Sequence, residues 1–582
     1  MKYQLSLFIL ILFIGLNLPA SESCLQLFTP TSQKTSESRA QILDALESRY
    51  GVNKSDILFT PRLNIPVILK MNTSETLRPT LTKAPPVRES KKYDVVIAGG
   101  GPAGLTAALY LAEAGKSVLI LERNPEVGGL AMGSDLKGIK VGGGAAYSTG
   151  PEGFLEYSIF KKIGLSHYKK KLTIKEPTDS YLWEGVLYEG VWEEHTLQKL
   201  PPPFRLFKHA LLKLSRMGAG KEEGIYAEWA DSMDMATLVR RMPELVKNWK
   251  DKSSQEIYKQ FMNDSRVSKV DPMKDVLDLL DLYGPSALGA VSNRISARQF
   301  IDFYTAEIFT RFTGTLGTGT IVAALKKKLD LYKNLIDIRT SSPVAELENT
   351  ADGVRATFIE NGVNKEAIAS KSLFAAAVTL APRLIKNLAE LDPEKAKVIS
   401  EIEMSDYATH AARIKGHPFR RTFDTWVHNK TGNPLMPTDL INGRWQDSKI
   451  DAYEGMRNFE KNPKDDYGII VSYNPLGKAD PNHYSNDKYL RTIEDSVEFM
   501  QNNLAPFSPD KKIDVELVES FRWPESIHVV SPGYLKKMPI LARSFGNIHF
   551  ANNTVGSPEL ETSMGRAARE AMTLIKILKG QK

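Results

Sequence analysis

Three successive glycines in the stretch YDVVIAGGGPAGLTAALYLAEAGKSVLILERN, residues 93–124, constrain the fold of this chain more than any other feature. The apolar run DVVIA before them is typical of a strand that is buried on both faces of a parallel sheet. After them, PAGLTAALYLAEAG has apolar residues at helical spacing and predicts a helix that stops at Gly115. The order of strand, glycine loop and helix therefore predicts the start of a Rossmann-like domain.

The spacing of Gly99, Gly101 and Gly104 is that of a dinucleotide-binding loop. Gly99 allows a tight turn, Gly101 lets a pyrophosphate approach the backbone, and Gly104 lets the helix pack close to the strand. The phosphates would lie at the helix N-terminus, where free N–H groups and the helix dipole favour negative charge. A second apolar run, SVLILE, ends at Glu122, whose carboxylate can accept hydrogen bonds from a ribose. These features together predict dinucleotide binding.

Two later glycine clusters indicate which dinucleotide is bound. Gly128 and Gly129 follow Glu122 closely, and the cluster at residues 142–144 comes soon after. A nicotinamide-binding domain would normally continue with another strand–helix unit at this point. Repeated glycines indicate instead a backbone that stays close to a long ligand along its length. The predicted cofactor is therefore FAD.

With these motifs the chain resembles the flavin-containing amine oxidase superfamily, which includes monoamine and polyamine oxidases, protoporphyrinogen oxidase and the phytoene desaturases. The resemblance covers residues 91–582. It extends to FTGTLGTGTIVAALKKKL, to SSPVAELENTADGVRATFIENG, to SLFAAAVTLAPRLIKNL and to the segments RWPESIHVVSPGYLKKMPIL and GNIHFANNTVGSPELETSMGRAAREAMTLIKIL near the end of the chain. It implies an α/β fold, in which a Rossmann-like, glutathione-reductase-like FAD-binding domain, discontinuous in sequence, is interleaved with a mixed α/β substrate domain.

The resemblance also implies a division of the chain. We expect a signal peptide at residues 1–23, followed by an N-terminal extension and linker at 24–90. The FAD-binding domain would comprise residues 91–165, 326–390 and 526–582. The substrate domain would comprise residues 166–325 and 391–525.

The motifs and the resemblance predict which residues contact FAD. A backbone group at Val344 would meet the adenine, and the helix that begins in GSPELETS would direct its N-terminus at the ribityl-phosphate or the flavin ring. Leu130 stands where family members often have an arginine, and Asn552 and Asn553 stand where an acid is frequent. No cysteine lies near these motifs, so FAD would be bound non-covalently. The predicted contacts are Gly99, Gly101, Pro102, Ala103, Gly104, Glu122, Arg123, Gly128, Gly129, Leu130, Gly143, Gly144, Ala145, Val344, Gly556, Glu561, Thr562 and Ser563.

The catalytic candidate is Lys386, which follows LAPRLI, because some relatives in this superfamily use a lysine that holds a water near flavin N5. The alternative is an exposed lysine at a helix start. Four further side chains lie in segments that could wall the substrate pocket or belong to the core: Trp426, Tyr473, Trp523 and His528. The nine histidines show no ligand spacing, so no metal site is predicted.

The first residues, MKYQLSLFILILFIGLNLPASESC, have the layout of a secretory signal peptide. The apolar run at residues 5–18 is shorter than the roughly 20 residues of a membrane-spanning helix. We therefore expect an exported protein, either periplasmic or secreted. Cys24 is the only cysteine, and it is either an incidental thiol or the attachment point of a lipid anchor.

The net charge of +7, from 76 basic and 69 acidic residues, is small for 582 residues and argues against a nucleic-acid partner. The segment PPPFRLFKHALLKLSRMG predicts a basic amphipathic helix. It either makes peripheral membrane contact or packs in the core with solvated lysines. The expected partners are a small-molecule substrate and oxygen or another electron acceptor.

The sequence thus predicts an FAD-dependent oxidoreductase that oxidises an amine or amino acid by hydride transfer to flavin N5. Two alternatives stay open. One is desaturation or dehydrogenation of a lipophilic substrate by the same cofactor. The other is a non-catalytic binding protein, since escort proteins for prenylated small GTPases resemble the same fold.

Overall fold

The computed structural model describes residues 32–70, 81–137, 139–148, 154–165, 173–174, 179–218, 228–309, 311–313, 315–415, 424–427, 439–442, 467–503, 505–507 and 511–580. The chain divides into two units, residues 1–57 and residues 58–582. The predicted signal peptide and Cys24 lie outside the described residues. The first unit contains the helix Ser32–Tyr50, which ends before Gly51, where φ is 66°.

The strands, numbered in chain order, are β1 (Ile57–Phe59), β2 (Pro66–Lys70), β3 (Val87–Ala98), β4 (Val118–Leu121), β5 (Gly133–Leu136), β6 (Ile139–Gly142), β7 (Thr173–Ile174), β8 (Asp179–Trp183), β9 (Val186–Glu189), β10 (Arg311–Phe312), β11 (Thr315–Thr318), β12 (Ile336–Arg339), β13 (Val344–Thr350), β14 (Gly353–Glu360), β15 (Val363–Phe374), β16 (Met404–Lys415), β17 (Asp424–Val427), β18 (Asp439–Asn442), β19 (Tyr467–Lys478), β20 (Val515–His528) and β21 (Ile548–Phe550).

The helices are α1 (Ser32–Tyr50), α2 (Pro102–Glu113), α3 (Phe154–Lys162), α4 (Glu194–Leu197), α5 (Pro202–Gly218), α6 (Met235–Asn248), α7 (Lys252–Asn263), α8 (Lys274–Leu288), α9 (Ala297–Phe309), α10 (Gly319–Leu329), α11 (Ala381–Leu384), α12 (Leu388–Leu391), α13 (Pro393–Ser400), α14 (Asn486–Asn503), α15 (Tyr534–Ala542) and α16 (Leu560–Leu578). Within the described part of the chain, no helix has the length and apolar character needed to cross a membrane.

A seven-stranded sheet contains the strand that leads into the glycine loop. Its parallel strands lie in the order β12, β4, β3, β15 and β21, and β13, β14 and β15 form an antiparallel meander at one side. Strands β13 and β14 of the meander lie in the segment SSPVAELENTADGVRATFIENG. Helices α2, α10 and α16 pack on one face through an apolar cluster, and α13 and α15 cover the other face. This is the α/β architecture that the glycine motif predicts.

The strand before the glycines is longer than the sequence predicts. Residues 87–90 were expected to belong to the linker, but residues 87–92 are the first half of β3, which pairs with β15 from Val87 opposite Lys365 onward. Most of this half is exposed, so it has no apolar run. The polar composition of VRESKK therefore reflects a solvated part of the strand, and the linker prediction is corrected there.

A nine-stranded sheet is the second large element. Its order is β1, β2, β20, β16, β19, β18, β17, β8 and β9, so strands from four distant parts of the chain lie side by side. The N-terminal strand β2 adds to it in parallel beside β20. Helices α5 to α9 build a separate apolar cluster against this sheet.

The basic helix α5 is a core helix. Its apolar residues Phe204, Phe207 and Leu211 are fully buried, and it packs against α6, α7, α8 and α9. Lys213 reaches Asp251 on the polar side. The apolar face of this helix is thus covered by protein.

Lys395, on α13, links this helix by hydrogen bonds to the C-terminal end of α15. Its buried ammonium donates to the carbonyl oxygens of Ile540, Leu541 and Arg543 at 3.1, 2.8 and 2.5 Å. Because Lys395→Met leaves these acceptors without a donor, we expect a loss of about 2–4 kcal/mol in the free energy of unfolding. Lys397→Met changes an exposed lysine of the same helix and is the matched control in a denaturant titration. Equal stability of the two variants would contradict this role.

Candidate functional site

A cavity lies where the carboxyl ends of β3, β4, β15 and β21 approach the nine-stranded sheet. It encloses about 2280 Å³ of space, including its opening to solvent. Ligands of open α/β sheets bind at the carboxyl ends of the strands. The cavity therefore stands at the position where the fold places a ligand.

The glycine loop forms one wall of the cavity. Gly99 has a φ of 111°, and a Cβ on Gly104 would lie 2.0 Å from the carbonyl oxygen of Gly99. Gly101 differs, because a Cβ there would meet only the Cα of Gly129, at 3.8 Å, and Gly101 lines the cavity. Gly104 thus allows close packing of helix on strand, whereas Gly101 leaves the backbone open to a ligand. The helix α2 begins directly after it, at Pro102, with N–H groups that have no intrahelical acceptor.

Glu122 is held at the end of β4 with 5% of its surface exposed. One carboxylate oxygen accepts the N–H of Gly100 at 2.7 Å and the other accepts the N–H of Asn124 at 2.9 Å. Each oxygen of an ionised carboxylate has a second lone pair, and Glu122 lines the cavity. Beside it, burial lowers the pKa of Arg123, against the opposing effect of Glu122 and Glu525.

A second helix N-terminus faces the same cavity. The first residues of α16 and the turn before it, at Pro558, Glu559, Leu560 and Glu561, belong to the lining. Buried Glu561 accepts a hydrogen bond from the hydroxyl of Ser148. Two helix N-termini, those of α2 and α16, therefore direct their positive ends at one space, which suits a ligand with anionic groups at more than one point.

The wall opposite the glycine loop is aromatic. Strands β16, β19 and β20 contribute Tyr407, Tyr473 and Trp523, and the rings of Tyr407 and Tyr473 lie edge to face at 5.9 Å. From α8, the hydroxyl of Ser286 lies 2.9 Å from that of Tyr407. Tyr147, Tyr283 and Phe303 complete this end.

Charge is scarce at the aromatic end. Among the described residues that the nine-stranded sheet, α8 and α9 give to the lining, the only charged side chain is Glu525. Its carboxylate accepts a hydrogen bond from Thr379, which follows β15, at 2.8 Å. The cavity thus has a polar end at the seven-stranded sheet and an apolar end at the nine-stranded sheet.

The structure brings most of the predicted cofactor contacts together. Thirteen of them line the cavity: Gly99, Gly101, Pro102, Ala103, Glu122, Arg123, Gly129, Leu130, Gly144, Ala145, Val344, Glu561 and Ser563. The other five lie behind the lining and shape it. Gly104 and Gly128 support the first loop, Gly143 and Gly556 receive hydrogen bonds from buried side chains, and Thr562 donates to Glu559.

The predicted catalytic lysine lies elsewhere. Lys386 does not line the cavity; its ammonium pairs with Glu348 of β13 at 2.9 Å, and 41% of its side chain is exposed. Asn387, with a φ of 59°, is the N-cap of α12 and follows Lys386 directly. This placement corrects the prediction of a role beside the cofactor. Of the four candidate wall residues, Tyr473 and Trp523 line the cavity, whereas Trp426 and His528 are buried outside the lining.

Several lining residues were not predicted from the sequence. Ala375, Ala376 and Ala377 follow β15 at the polar end, where the rule that ligands lie at carboxyl strand ends could have found them. Tyr407 and Thr409 alternate on β16 within MSDYATHAARIK, a pattern that places them on one face of the strand. Nothing in the local sequence indicates that this face borders a cavity.

Fully buried His528 supports the turn that precedes α16. Its Nε2 lies 2.9 Å from the carbonyl oxygen of Gly556, so this nitrogen carries the proton and donates. Burial lowers the pKa of His528 to about 4.

A pH dependence follows from this histidine. The unfolded chain takes up a proton near the ordinary pKa of about 6.5, while the folded chain stays neutral down to about pH 4. The contribution of His528 to the free energy of unfolding is therefore fully present above pH 6.5. It is lost as the pH drops toward 4, and the loss amounts to up to about 3 kcal/mol. We expect His528→Gln to flatten the slope of unfolding free energy against pH in this window. An unchanged slope would contradict the assignment.

Comparison with known proteins gives a match to one protein family over most of the chain. The family model described as flavin containing amine oxidoreductase matches residues 102–573. Among solved structures, putrescine oxidase bound to putrescine is similar with a TM-score of 0.54 at 15% identity, covering 85% of this chain and 100% of that chain. Cyclohexylamine oxidase from Brevibacterium oxydans gives a TM-score of 0.54 at 16% identity, covering 84% of this chain and 100% of that chain. At this identity the likeness shows the fold.

Curated relatives match over shorter segments. A carotenoid 3,4-desaturase from Haloarcula japonica is 32% identical over 114 residues, which are 20% of this chain and 18% of the desaturase. Lysine-specific histone demethylase 1B from Mus musculus is 27% identical over 269 residues, which are 45% of this chain and 28% of the demethylase. The chain thus spans less than a third of the length of either relative.

Proposed function

This chain belongs to the family of flavin-containing amine oxidoreductases, and from that premise we propose that it is an FAD-dependent oxidase of amines whose remaining part is apolar. The observation that carries this proposal is the aromatic, almost uncharged end of the cavity, opposite the polar end. The two ends of the cavity would therefore bind different parts of the reacting complex. One end suits a dinucleotide and the other suits an apolar substrate.

The residues at the polar end fit FAD. Gly101 leaves the backbone open beside the N-terminus of α2, where the pyrophosphate would lie, and the lone pairs of Glu122 would accept hydrogen bonds from the ribose. The small residues after β15 and the backbone at Val344 would border the adenine. We propose that binding is non-covalent, because the only cysteine of the chain is Cys24. When bound, FAD supplies the acceptor for a hydride from the substrate.

The protein's own groups would then act by binding, orientation and exclusion of water. The N–H groups at the N-terminus of α16 would face the ligand beside the side chains of Glu559 and Glu561. Tyr407, Tyr473 and Trp523 line this end with aromatic rings, whose faces would attract an amino group and whose apolar surface would cover the rest of a substrate. An aromatic, almost uncharged wall of this kind excludes water from the place where a hydride would be transferred.

Amino acids fit this cavity less well than simple amines. A substrate carboxylate calls for a cation, most often arginine. Among the described lining residues the only arginine is Arg123, at the polar end next to Glu122. Buried Arg311, outside the lining, pairs with Asp179 and Asp424. The proposed substrate is therefore an amine without a carboxylate.

Desaturation of a lipophilic substrate is the second candidate. The apolar wall supports it equally, and the segment shared with the carotenoid desaturase supports it further.

Anaerobic mixing of the FAD-loaded protein with a substrate panel tests the proposal. The panel contains benzylamine, cyclohexylamine, putrescine, leucine and a carotenoid in detergent, and loss of the flavin band near 450 nm reports hydride transfer, a general property of this cofactor. We expect bleaching by the apolar monoamines, and peroxide with ammonia once air is admitted. Bleaching by the carotenoid alone would favour the second candidate. Bleaching by leucine alone would contradict the assignment of an amine without a carboxylate.

A further inference from the structure

The segment 143–146 runs along the cavity between its two ends. Gly144, Ala145 and Ala146 belong to the lining, and Gly143 lies directly behind it. The segment contains only glycine and alanine. A Cβ on Gly144 would lie 2.0 Å from the carbonyl oxygen of Leu130, and a Cβ on Gly143 would lie 2.2 Å from the ring of Phe521. The backbone is thus pressed between the glycine-rich loop and the nine-stranded sheet.

Three side chains from neighbouring strands hold the first two carbonyl groups of this segment. The indole N–H of Trp523 donates to the carbonyl oxygen of Gly143 at 2.9 Å, and the hydroxyl of Thr409 donates to the same oxygen. The hydroxyl of Tyr473 donates to the carbonyl oxygen of Gly144 at 2.7 Å. All three donors are buried.

The rest of the segment is bonded in the same way. The carbonyl oxygens of Ala145 and Ala146 accept hydrogen bonds from the hydroxyls of Thr318 and Thr313, both at 2.7 Å. The N–H groups of Gly143 and Gly144 donate to the carbonyl oxygen of Met132 at 3.0 and 3.2 Å. Every carbonyl oxygen from residue 143 to residue 146 therefore accepts a hydrogen bond from a side chain. The protein satisfies these acceptors itself, without a donor from a ligand in the cavity.

We propose that Tyr473, Trp523 and Thr409 are positioning residues that fix the backbone of residues 143–146 by engaging the carbonyl oxygens of Gly143 and Gly144, so that neither of these oxygens is a free acceptor beside the cofactor. This inference rests on the proposed function, since it concerns the flavin end of FAD. Tyr473 and Trp523 also form the aromatic wall. The same side chains thus border the substrate and set the backbone against which the cofactor lies.

The engaged carbonyls have an electrostatic consequence. A carbonyl oxygen bears partial negative charge, and a free one at the cavity wall would oppose the negative charge that a flavin gains on reduction. Tyr473→Phe removes one donor and leaves the ring in place. Because a neutral hydrogen bond contributes about 0.5–1.5 kcal/mol, we expect this variant to lower the equilibrium constant for flavin reduction about twofold to tenfold.

The experiment measures that equilibrium constant in the FAD-loaded protein against a redox dye of known potential, together with the absorption maximum of the bound flavin. Thr409→Val leaves Trp523 as the remaining donor to the carbonyl oxygen of Gly143, so it should shift both in the same direction as Tyr473→Phe by a smaller amount, and Thr409→Ser, which keeps the hydroxyl, should restore the wild-type values. Tyr181→Phe is the matched control. Tyr181 is a buried tyrosine on the same sheet, outside the lining, and its hydroxyl has no hydrogen-bond partner among the described residues.

The outcomes separate this inference from the proposed function. Tyr473→Phe and Thr409→Val that bind FAD with wild-type potential and spectrum would overturn the positioning role and leave the proposed function intact. Wild-type protein that takes up no FAD would overturn both. If Tyr473→Phe does not fold, the comparison of Thr409→Val with Thr409→Ser decides, because a shift in Val that Ser does not restore would also contradict the role of the hydroxyl.

Discussion

Gly101→Ala is expected to fold as the wild-type chain does and to bind FAD about 10-fold to 100-fold more weakly. The backbone φ of Gly101 is −75°, which alanine adopts without strain, and the nearest atom to the added methyl group is the Cα of Gly129 at 3.8 Å. The methyl group projects to the place where a pyrophosphate would approach the backbone. Loss of one hydrogen bond to a charged group costs about 1.5–3 kcal/mol, and each 1.4 kcal/mol is a factor of ten in affinity.

The affinity is measured by titrating the apo-protein with FAD and following flavin fluorescence. Circular dichroism and the thermal midpoint of the apo-protein serve as controls for folding. Wild-type affinity in Gly101→Ala would show that no phosphate lies at this glycine. An unfolded variant would contradict the open space that the structure shows there.

Gly104→Ala is expected to reduce stability by about 3 kcal/mol or more and to lose FAD as a result. The added Cβ would lie 2.0 Å from the carbonyl oxygen of Gly99 and 3.2 Å from the side chain of Ile97. Since these are backbone and fully buried atoms, α2 can accommodate the methyl group only by moving away from β3. The intrinsic helix propensity of alanine returns no more than about 1 kcal/mol.

Thermal unfolding of the apo-protein distinguishes the two glycines. The midpoint of Gly104→Ala should lie well below that of wild type, and that of Gly101→Ala should not. Equal midpoints for the two variants would contradict the close packing of α2 on β3.

The first half of the cavity could be predicted from sequence because it is made of local signals. The apolar run, the glycine spacing and Glu122 lie within about 30 consecutive residues, and the strand and helix that they predict are those observed. The relative positions of such residues follow from their closeness in the sequence. Six predicted contacts from this stretch accordingly line the cavity: Gly99, Gly101, Pro102, Ala103, Glu122 and Arg123.

The aromatic end could not be predicted in the same way. Tyr407, Tyr473 and Trp523 come from three strands that are far apart in sequence and adjacent in the sheet, with Tyr407 opposite Trp523 and Thr409 opposite Tyr473. Which face of each strand borders the cavity depends on this non-local register. For Lys386 the sequence predicted a position beside the cofactor that the fold does not give it. Its motif position suggested contact with the flavin, whereas the structure pairs it with Glu348 at the surface.

The most direct test of the central claim is the visible absorption spectrum of the purified protein, recorded before and after denaturation and removal of the protein. We predict flavin bands near 370 and 450 nm, as general for this cofactor, with one equivalent of FAD released into the supernatant. Protein that shows no flavin band, even after incubation with FAD, would contradict the account and favour a binding protein on the same fold.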